Sequence, residues 1–534
     1  MKKTFKIIAF FWLFSLILVA SNDKETYTMQ MQKLLTTYRI INGLYVDDVD
    51  AEELVESSIV AMLKDLDPHS AYISPEDVKK MNEPLQGNFD GIGIQFNVLD
   101  DSLIVVSPIP GGPSEKVGIH AGDRIVKVDD TVIAGVQCSR TKMVELLRGE
   151  KGTKVKVEVK RKGRDKLLSF TITRDKIPIY SLDASYMLTP HIGYIKLNRF
   201  SATSFREFME ALMALKKEGM EDLVIDLQGN GGGYMQPAIE IADQLLAKDR
   251  LIVYTEGRNS PMQSFDSRGD GIFEKGDLVV LVDEASASAS EILSGAVQDW
   301  DRGLIVGRRS FGKGLVQKPL NLPDGAMIRL TTARYHTPSG RCIQKPYVEG
   351  EKENYSKDLM QRYESGELLS ADSIDFPDSL KYKTLIEGRT VYGGGGIVPD
   401  IFVPLDTTTY SHFHREVIAS GVLNHFMLSY IDEHRERLKE KYATFEDFDQ
   451  HFNISETLFQ ELVAEAAEDS ISFDAEEFAV SHDFLFLQMK ALVARDLFDM
   501  SGYYQVMNQR NQSVLKAVEV LKHKKDKLAY YSEK

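Results

Sequence analysis

The chain has 534 residues, with 64 Lys and Arg against 80 Asp and Glu, a net charge of −16 and 43% hydrophobic residues. This length corresponds to several domains, and the hydrophobic fraction excludes a disordered, collagen-like or small disulfide-rich chain. The acidic balance argues against nucleic acid as a partner, because binding to a phosphate backbone needs a basic surface. Cys138 and Cys342 form no metal-ligand spacing, and we expect neither a metal nor a cofactor.

The first 21 residues have the pattern of an export signal. Three lysines among the first six residues precede an apolar run over residues 7–20, and small residues follow. The run is too short to cross a bilayer as a helix, and the whole pattern is typical of a secretory signal peptide over residues 1–21. An uncleaved membrane anchor is the alternative. We therefore expect an exported protein in the periplasm, soluble or at the face of the inner membrane.

Two regions of different character follow. Over residues 22–84 apolar residues recur at helical spacing, interrupted by LDPHSAYIS at residues 66–74, where proline breaks the helix. His69 in this segment is a candidate for catalysis, with capping or packing as the alternative. Residues 85–175 contain short β-branched runs separated by Gly and Asp, with one helical piece over residues 140–147. This pattern predicts a compact β-rich module.

The second half of the chain predicts a core and a helical tail. Strands and helices alternate over residues 176–404, which predicts a mostly parallel sheet flanked by helices. Polar and charged residues over 348–384 indicate an insertion into this core, and residues 405–534 are again helical in pattern. The predicted fold is multidomain, of α/β and α+β class, with an α/β core flanked by N-terminal and C-terminal helical regions.

A glycine-rich turn in the core is the first segment suited to chemistry. The buried strand DLVIDLQ is followed by a turn that contains Gly232 and Gly233, and then by a helix. Backbone N–H groups in such a turn form a cradle for an anion, either a phosphate or an oxyanion. Neither the Gly-Lys-Ser/Thr ending of a Walker loop nor GxGxxG spacing is present in the turn. A simple tight turn remains the alternative.

Two further segments contribute a serine and a lysine. In SASASE, Ser286, Ser288 and Ser290 precede a helix, where they could cap it, or one could be a nucleophile beside the helix N-terminus. In FGKG, Lys313 lies between two glycines. If exposed, this lysine is an ordinary surface cation; if buried, its pKa falls and it becomes a usable general base. Gln317, four residues on, could orient its amine.

The order of glycine-rich turn, SASASE and FGKG resembles the carboxy-terminal processing peptidases, also called tail-specific proteases. These are serine peptidases with a Ser-Lys dyad and a PDZ domain. The resemblance implies that Ser288 is the nucleophile, Lys313 the general base and Gln317 its support. It also implies a ClpP/crotonase-like fold for the core.

The same resemblance extends to the oxyanion hole and to the β-rich module. It implies oxyanion donors on the backbone N–H groups of Ala289 and Gly233, with Gly232 beside them. FDGIGIQF resembles the carboxylate-binding loop of PDZ domains, and we refer to residues 85–175 as the PDZ module. Arg148 matches a position thought to couple the PDZ domain to the active site, with a plain surface arginine as the alternative. The loop residues that would bind a peptide are Gly91, Ile92, Gly93 and Ile94.

The sequence therefore predicts an exported serine endopeptidase whose partners are protein and peptide substrates with accessible C-termini, and not nucleic acid. A non-catalytic periplasmic protein that binds partners through its PDZ module is the main alternative. A His-dependent hydrolase that uses His336 is a second one. A homodimer formed through the N-terminal helices and an association with the membrane are left open.

Overall fold

The computed structural model describes residues 27–523, so the expected signal peptide lies outside the described residues. The N-terminal region has helices on both sides of the segment that breaks the helical pattern. Asp50 caps the second helix through its side chain, and Gly87 ends the third in a left-handed conformation. The elements are α1 (27–44), α2 (Ala51–Lys64), β1 (Ala71–Ile73) and α3 (Pro75–Gln86). The short strand β1 was not predicted.

The PDZ module is an antiparallel sheet in the order β3-β4-β5-β7-β8, with β6 paired to β5. Buried aliphatic side chains on alternating strand positions, Val155 and Val157 among them, form its own core. Strand β3 lies at an edge of this sheet. The elements are β2 (Asn88–Gly91), β3 (Ile94–Leu99), β4 (Ser102–Pro108), α4 (Pro113–Lys116), β5 (Arg124–Val128), β6 (Thr131–Val132), α5 (Arg140–Leu147), β7 (Lys154–Lys160), β8 (Leu168–Thr173) and β9 (Asp175–Pro178), which pairs with β2.

The core alternates strands and helices as predicted. Its elements are β10 (Leu182–Thr189), β11 (Ile192–Leu197), α6 (Ser204–Lys217), β12 (Asp222–Asp226), α7 (Met235–Asp243), β13 (Leu251–Gly257), β14 (Ser260–Asp266), β15 (Leu278–Val282), α8 (Ala289–Asp299), β16 (Leu304–Gly307), β17 (Leu315–Asn321) and β18 (Met327–His336). The predicted insertion and the return to the core contain α9 (Lys352–Ser356), α10 (Asp358–Glu364), two 3₁₀ turns, β19 (Lys381–Lys383), β20 (Thr390–Tyr392) and β21 (Ile401–Phe402).

The main sheet of the core has the order β10-β11-β12-β15-β16-β21. Strands β11 to β21 are parallel, and β10 is antiparallel to β11. Apolar side chains of α6, α7 and α8 pack on one face of this sheet, which confirms the predicted α/β architecture. The glycine-rich turn and the serine segment both follow parallel strands, so they meet at the carboxyl edge of the sheet.

A second, antiparallel sheet in the order β1-β18-β13-β14, with β17 also paired to β18, was not predicted. Its strands come from the N-terminal region and from two distant parts of the core. In the β17–β18 hairpin, Gln317 lies opposite Thr331. This sheet therefore brings the segment after FGKG next to residues 67–73 of the N-terminal region.

The C-terminal region is helical and has its own core, rich in phenylalanine. Its last helix covers the second face of the main sheet with Val514, Ala517, Val520 and Leu521. The elements are α11 (His412–Ala419), α12 (Val422–Lys441), α13 (Phe445–His451), α14 (Glu456–Glu468), α15 (Ala475–Phe478), α16 (His482–Leu497), α17 (Met500–Met507) and α18 (Gln512–Lys522). Within residues 27–523 no helix has the length and apolar character needed to cross a membrane.

Candidate active site

Ser288 lies at the N-terminus of α8 in a strained backbone conformation. Its φ is 57° and its ψ is −111°, a region that residues with a side chain rarely adopt. Such a conformation costs about 1–3 kcal/mol and persists only where the surroundings impose it. The residues on both sides, Ala287 and Ala289, are buried. Ser288 is thus held in an unfavourable conformation at the junction between a buried strand and a helix.

The carboxylate of Glu291 joins the backbone of Ser288 to that of Lys313. One oxygen accepts from the Ser288 N–H at 2.8 Å and from the Lys313 N–H at 2.9 Å. The other accepts from the Gly312 N–H at 2.7 Å and from the Ser310 hydroxyl at 2.5 Å. Burial raises the pKa of Glu291 above its usual value, against these four hydrogen bonds, which favour the charged form. Glu291 was not predicted as a site residue, although Ser-x-x-Glu before an apolar helix is the pattern of a capping box.

Lys313 is a partly buried lysine without a carboxylate partner among the ion pairs of residues 27–523. Burial, followed by the positive charge of Arg329, lowers the pKa of Lys313 from 10.5 to about 8. Its amine donates to Gln317 Oε1 at 3.0 Å. The amide of Gln317 in turn donates from Nε2 to the backbone carbonyl of His69 at 2.7 Å. The structure therefore brings Lys313 and Gln317 together, with the amide oxygen facing the amine. We call Ser288, Glu291, Lys313 and Gln317 the Ser288–Lys313 cluster.

His69 contributes to this site through its backbone. Its carbonyl fixes Gln317, whereas its imidazole Nε2 lies 2.9 Å from the hydroxyl of Tyr355, on α9 of the insertion. Burial, followed by the charge of Lys313, lowers the pKa of the His69 imidazole to about 4. Asp67 holds the turn by accepting from the N–H groups of His69 and Ser70 at 2.8 and 2.9 Å. Neither the backbone role of His69 nor the contact with Tyr355 can be read from sequence spacing.

The glycine-rich turn packs directly on the serine segment. A Cβ at Gly232 would lie 2.8 Å from the Cβ of Ser288 and 3.0 Å from the Ala289 nitrogen, so only glycine fits there. The Gly232 N–H donates to the Asn230 side chain at 2.9 Å. By contrast, the N–H groups of Gly233 and Ala289 have no acceptor within residues 27–523. This geometry favours Gly233 over Gly232 as an anion donor.

Asn230 ties the turn to the serine segment. Its backbone carbonyl accepts from the Ala287 N–H at 3.0 Å and from the Ser290 hydroxyl at 2.9 Å. Its side-chain amide donates to the Leu197 carbonyl at 3.0 Å while its side-chain oxygen accepts from Gly232. Ser290 is thereby used for structure, which leaves Ser288 as the strained serine beside the open N–H groups.

The remaining predicted residues lie elsewhere. Arg148 pairs with Glu83 of α3 at 2.5 Å, and its guanidinium lies 4.5 Å over the ring of Phe89. The imidazole of His336 stacks on Tyr254 at 4.7 Å, and its Nδ1 lies 3.1 Å from the Gly340 carbonyl. The contacts of His336 are those of a packed side chain, and the ion pair of Arg148 joins the PDZ module to α3, so both residues lie outside the Ser288–Lys313 cluster. The coupling role of Arg148 stays a prediction. The loop of Gly91, Ile92, Gly93 and Ile94 leads into the edge strand β3 of the PDZ module.

Comparisons with known proteins divide the chain in the same order. Residues 191–353 match peptidase family S41, and residues 91–172 match a PDZ domain. Residues 16–77 match the N-terminal domain of the activating protease CtpB, and residues 413–499 match a family of unknown function.

Several carboxy-terminal processing proteases are similar to this chain. Carboxy-terminal processing protease CtpA of Bacillus subtilis (strain 168) is 33% identical over 359 residues, which cover 66% of this chain and 76% of that protein. The chain belongs to the family of carboxy-terminal processing proteases. The family member from Bartonella bacilliformis is 35% identical over 352 residues, covering 64% of this chain and 80% of that protein. A solved structure of the photosystem II D1 C-terminal processing protease is 31% identical, covers 59% of this chain and 85% of that chain, and has a TM-score of 0.33.

From the family matches and the similar proteases, the chain is a serine peptidase with an S41 peptidase fold and a PDZ domain, flanked by helical N-terminal and C-terminal regions. The family and the fold class predicted from the sequence are confirmed. The roles of individual site residues stay predictions.

Proposed function

We propose that this peptidase is exported, captures protein substrates by their C-termini with the PDZ module, and cleaves them with a Ser288–Lys313 dyad. The observation that carries the proposal is the state of Lys313: its side chain is partly buried, burial lowers the pKa of its amine to about 8, and the amine donates to the amide oxygen of Gln317. An amine in this state is neutral often enough near neutral pH to take a proton. The carboxylate of Glu291 accepts from the backbone N–H groups of both Ser288 and Lys313, and so keeps the two backbone segments close together.

The proposed reaction begins when neutral Lys313 takes the proton of the Ser288 hydroxyl as Oγ attacks the substrate carbonyl carbon. The N–H groups of Ala289 and Gly233 donate to the resulting oxyanion. Collapse of this intermediate breaks the C–N bond, and the protonated amine of Lys313 gives its proton to the leaving nitrogen. Water, deprotonated by Lys313, then attacks the ester carbon, the bond from that carbon to Ser288 Oγ breaks, and the protonated amine of Lys313 returns its proton to Oγ.

Substrate capture is supported by the open edge of the PDZ module. Strand β3 pairs with β4 on one side and is at the edge of the sheet on the other. An extended peptide can add to such an edge, with its terminal carboxylate at the N–H groups of the loop that precedes β3. That loop contains Gly93 with a φ of 74°.

The cleavage proposal is tested with purified full-length protein and a folded substrate that carries an unstructured C-terminal tail. Ser288→Ala and Lys313→Ala are expected to abolish cleavage while leaving the circular dichroism spectrum unchanged. Lys313→Arg should be nearly as damaging, because a guanidinium stays charged. Lys318→Ala, an exposed lysine on the same strand as Gln317, is the matched control. Cleavage that persists in Ser288→Ala would assign the protein to another mechanism, and tail binding without cleavage by the wild type would favour the non-catalytic alternative.

Export rests on the pattern of residues 1–21 and has its own test. We expect the protein in the periplasmic fraction, with a mature N-terminus after residue 21. Recovery of the intact N-terminus with the membrane fraction would instead support an anchor.

Exposed apolar side chains on α1, Leu34 and Leu35 among them, support a homodimer, which analytical ultracentrifugation tests.

A further inference from the structure

The hydroxyl of Tyr335 lies between the backbone carbonyls of the two proposed catalytic residues. It is 3.1 Å from the Ser288 carbonyl oxygen and 2.7 Å from the Lys313 carbonyl oxygen. Tyr335 is on β18, its side chain is 1% exposed, and burial raises the pKa of its phenol well above the usual 10. The phenol is therefore neutral at any working pH, and its one hydrogen is available to either carbonyl.

Tyr335 complements Glu291. Glu291 accepts from the N–H groups of Ser288 and Lys313, whereas Tyr335 contacts the carbonyl groups of the same two residues. The two side chains come from different elements, α8 and β18, and contact the same two backbone segments, Glu291 at their N–H groups and Tyr335 at their carbonyl groups. Such contacts fix the separation of a nucleophile and a base that are far apart in the sequence.

We propose that Tyr335 is a positioning residue, whose hydroxyl sets the distance between Ser288 and Lys313. The inference rests on the proposed dyad. Proton transfer between Oγ and the amine requires hydrogen-bond distance, and a shift of about 1 Å can cost about a hundredfold in rate. The hydroxyl contacts two backbone carbonyls and not the reacting atoms, so it sets geometry and exchanges no proton with the substrate.

The test is Tyr335→Phe, which removes a single oxygen atom. We expect kcat to fall about 10- to 100-fold, KM to stay within about twofold, and the pH midpoint of activity to stay near that of the wild type. Labelling of Ser288 by a fluorophosphonate should be slower but complete, so the active fraction is unchanged. Tyr254→Phe, on the neighbouring strand β13, is the matched control and should behave like the wild type.

Wild-type kcat in Tyr335→Phe would overturn the proposal, and so would incomplete labelling that accounts for all the lost activity. These results are separate from a failure of the dyad. If Ser288→Ala or Lys313→Ala keeps activity, the dyad fails; if both are inactive and Tyr335→Phe is normal, only the role of Tyr335 fails.

A second inference concerns the C-terminal helical region, which contacts both the PDZ module and the core. On the PDZ side, Leu428 of α12 is 4% exposed and packs on Leu99 and Ile104. At the rim of this contact Arg124 lies 3.3 Å from the Asp432 carboxylate. Leu99 is the last residue of β3, whereas the proposed peptide loop precedes and begins the same strand, so the contact lies at the far end of β3 from that loop.

On the core side, the same region reaches the strand end before the glycine-rich turn. The side-chain amide of Gln228 donates to the Ser513 hydroxyl at 3.3 Å and accepts from Asn511 at 3.3 Å. Gln228 immediately precedes Gly229, whose N–H is held by Asp283. The C-terminal helical region thus contacts the PDZ module through α12 and the carboxyl edge of the main sheet through the start of α18.

We infer that the C-terminal helical region is a brace that fixes the PDZ module relative to the peptidase core. Without it, the module would be joined to the core by the chain connections, and contacts such as that of Arg148 with Glu83 would hold it to α3 of the N-terminal region. A fixed module delivers a captured tail to Ser288 at a constant distance, which matters for long substrates and not for short peptides. This inference uses the proposed capture by the PDZ module.

The test is Leu428→Asp in the full chain, which places a charge in the buried contact. Spin labels on the PDZ module and the core should give a broader distance distribution, and turnover of tail-bearing substrates should fall about tenfold while short-peptide turnover is unchanged. Arg124→Glu, which sets like charges at the rim, should give a smaller effect in the same direction. Leu515→Asp at an exposed position is the control. An unchanged distance distribution in both test variants would overturn the brace.

Discussion

The Ser288–Lys313 cluster and the C-terminal helical region are built in opposite ways. The cluster is held by hydrogen bonds to buried polar groups, with four donors on the carboxylate of Glu291 alone. The C-terminal region is held by apolar side chains, among them Phe448, which stacks on Phe452 at 4.8 Å and is fully buried. Hydrogen bonds are directional and fix the positions of atoms, whereas apolar packing mainly supplies stability. Substitutions in the two regions should therefore have different signatures.

Among substitutions that leave Ser288 and Lys313 in place, the largest effect on rate is expected from Glu291→Gln. The amide replaces one of two accepting oxygens with a donor that faces backbone N–H groups, so the positions of Ser288 and Lys313 change. We expect kcat to fall about 100- to 1000-fold, while the free energy of unfolding falls by about 1–3 kcal/mol. Steady-state kinetics with circular dichroism measure both, and Glu240→Gln on α7 is the control. A large loss of stability with normal kcat would remove the contrast between the regions.

In the C-terminal region, Phe448→Ala should give the reverse result. Loss of a fully buried phenylalanine is expected to lower the free energy of unfolding by about 3–5 kcal/mol. The kcat of the folded fraction, measured below the melting transition, should be that of the wild type. If kcat of Phe448→Ala fell by a factor similar to that of Glu291→Gln, the C-terminal core would also set the geometry of the active site.

The pH profile tests the electrostatics of the cluster. Because burial lowers the pKa of Lys313 to about 8, the neutral fraction of its amine grows with pH until that value is passed. We expect kcat/KM to rise about tenfold per pH unit below 8 and to level off above it. His69, with a pKa of about 4, stays neutral across this range and adds no step. A flat profile between pH 6 and pH 9 would contradict a lysine base.

The smallest effect is expected from a change in the substrate, namely amidation of its C-terminal carboxylate. If the loop from Gly91 to Ile94 binds a carboxylate, amidation of the C-terminus removes charge-assisted hydrogen bonds to backbone N–H groups. We expect affinity for the isolated tail peptide to fall about tenfold, with kcat at saturation unchanged. Equal affinity for the free and amidated peptides would exclude capture through the carboxylate.

The sequence predicted the parts of the site that are local and missed those that depend on long-range pairing. Ser288, Lys313 and Gln317 stand in short motifs, and the glycine-rich turn follows a strongly apolar strand. Glu291 stands in a capping-box pattern, Ser-x-x-Glu, which would have predicted a contact between its carboxylate and the backbone of Ser288. The backbone role of His69 and the contacts of Tyr335 arise because β1, β17 and β18 pair across distant parts of the chain. These strands are half exposed and carry no clear apolar alternation, so their pairing had no local signal.

The most direct test of the central claim is to trap the acyl-enzyme by acid quench during turnover and to locate it by peptide mass spectrometry. The account predicts a substrate acyl group on the peptide that contains Ser288 in the wild type and none in Lys313→Ala. An acyl group on another residue, or the same amount on Ser288 after the lysine is removed, would contradict a Ser288–Lys313 dyad.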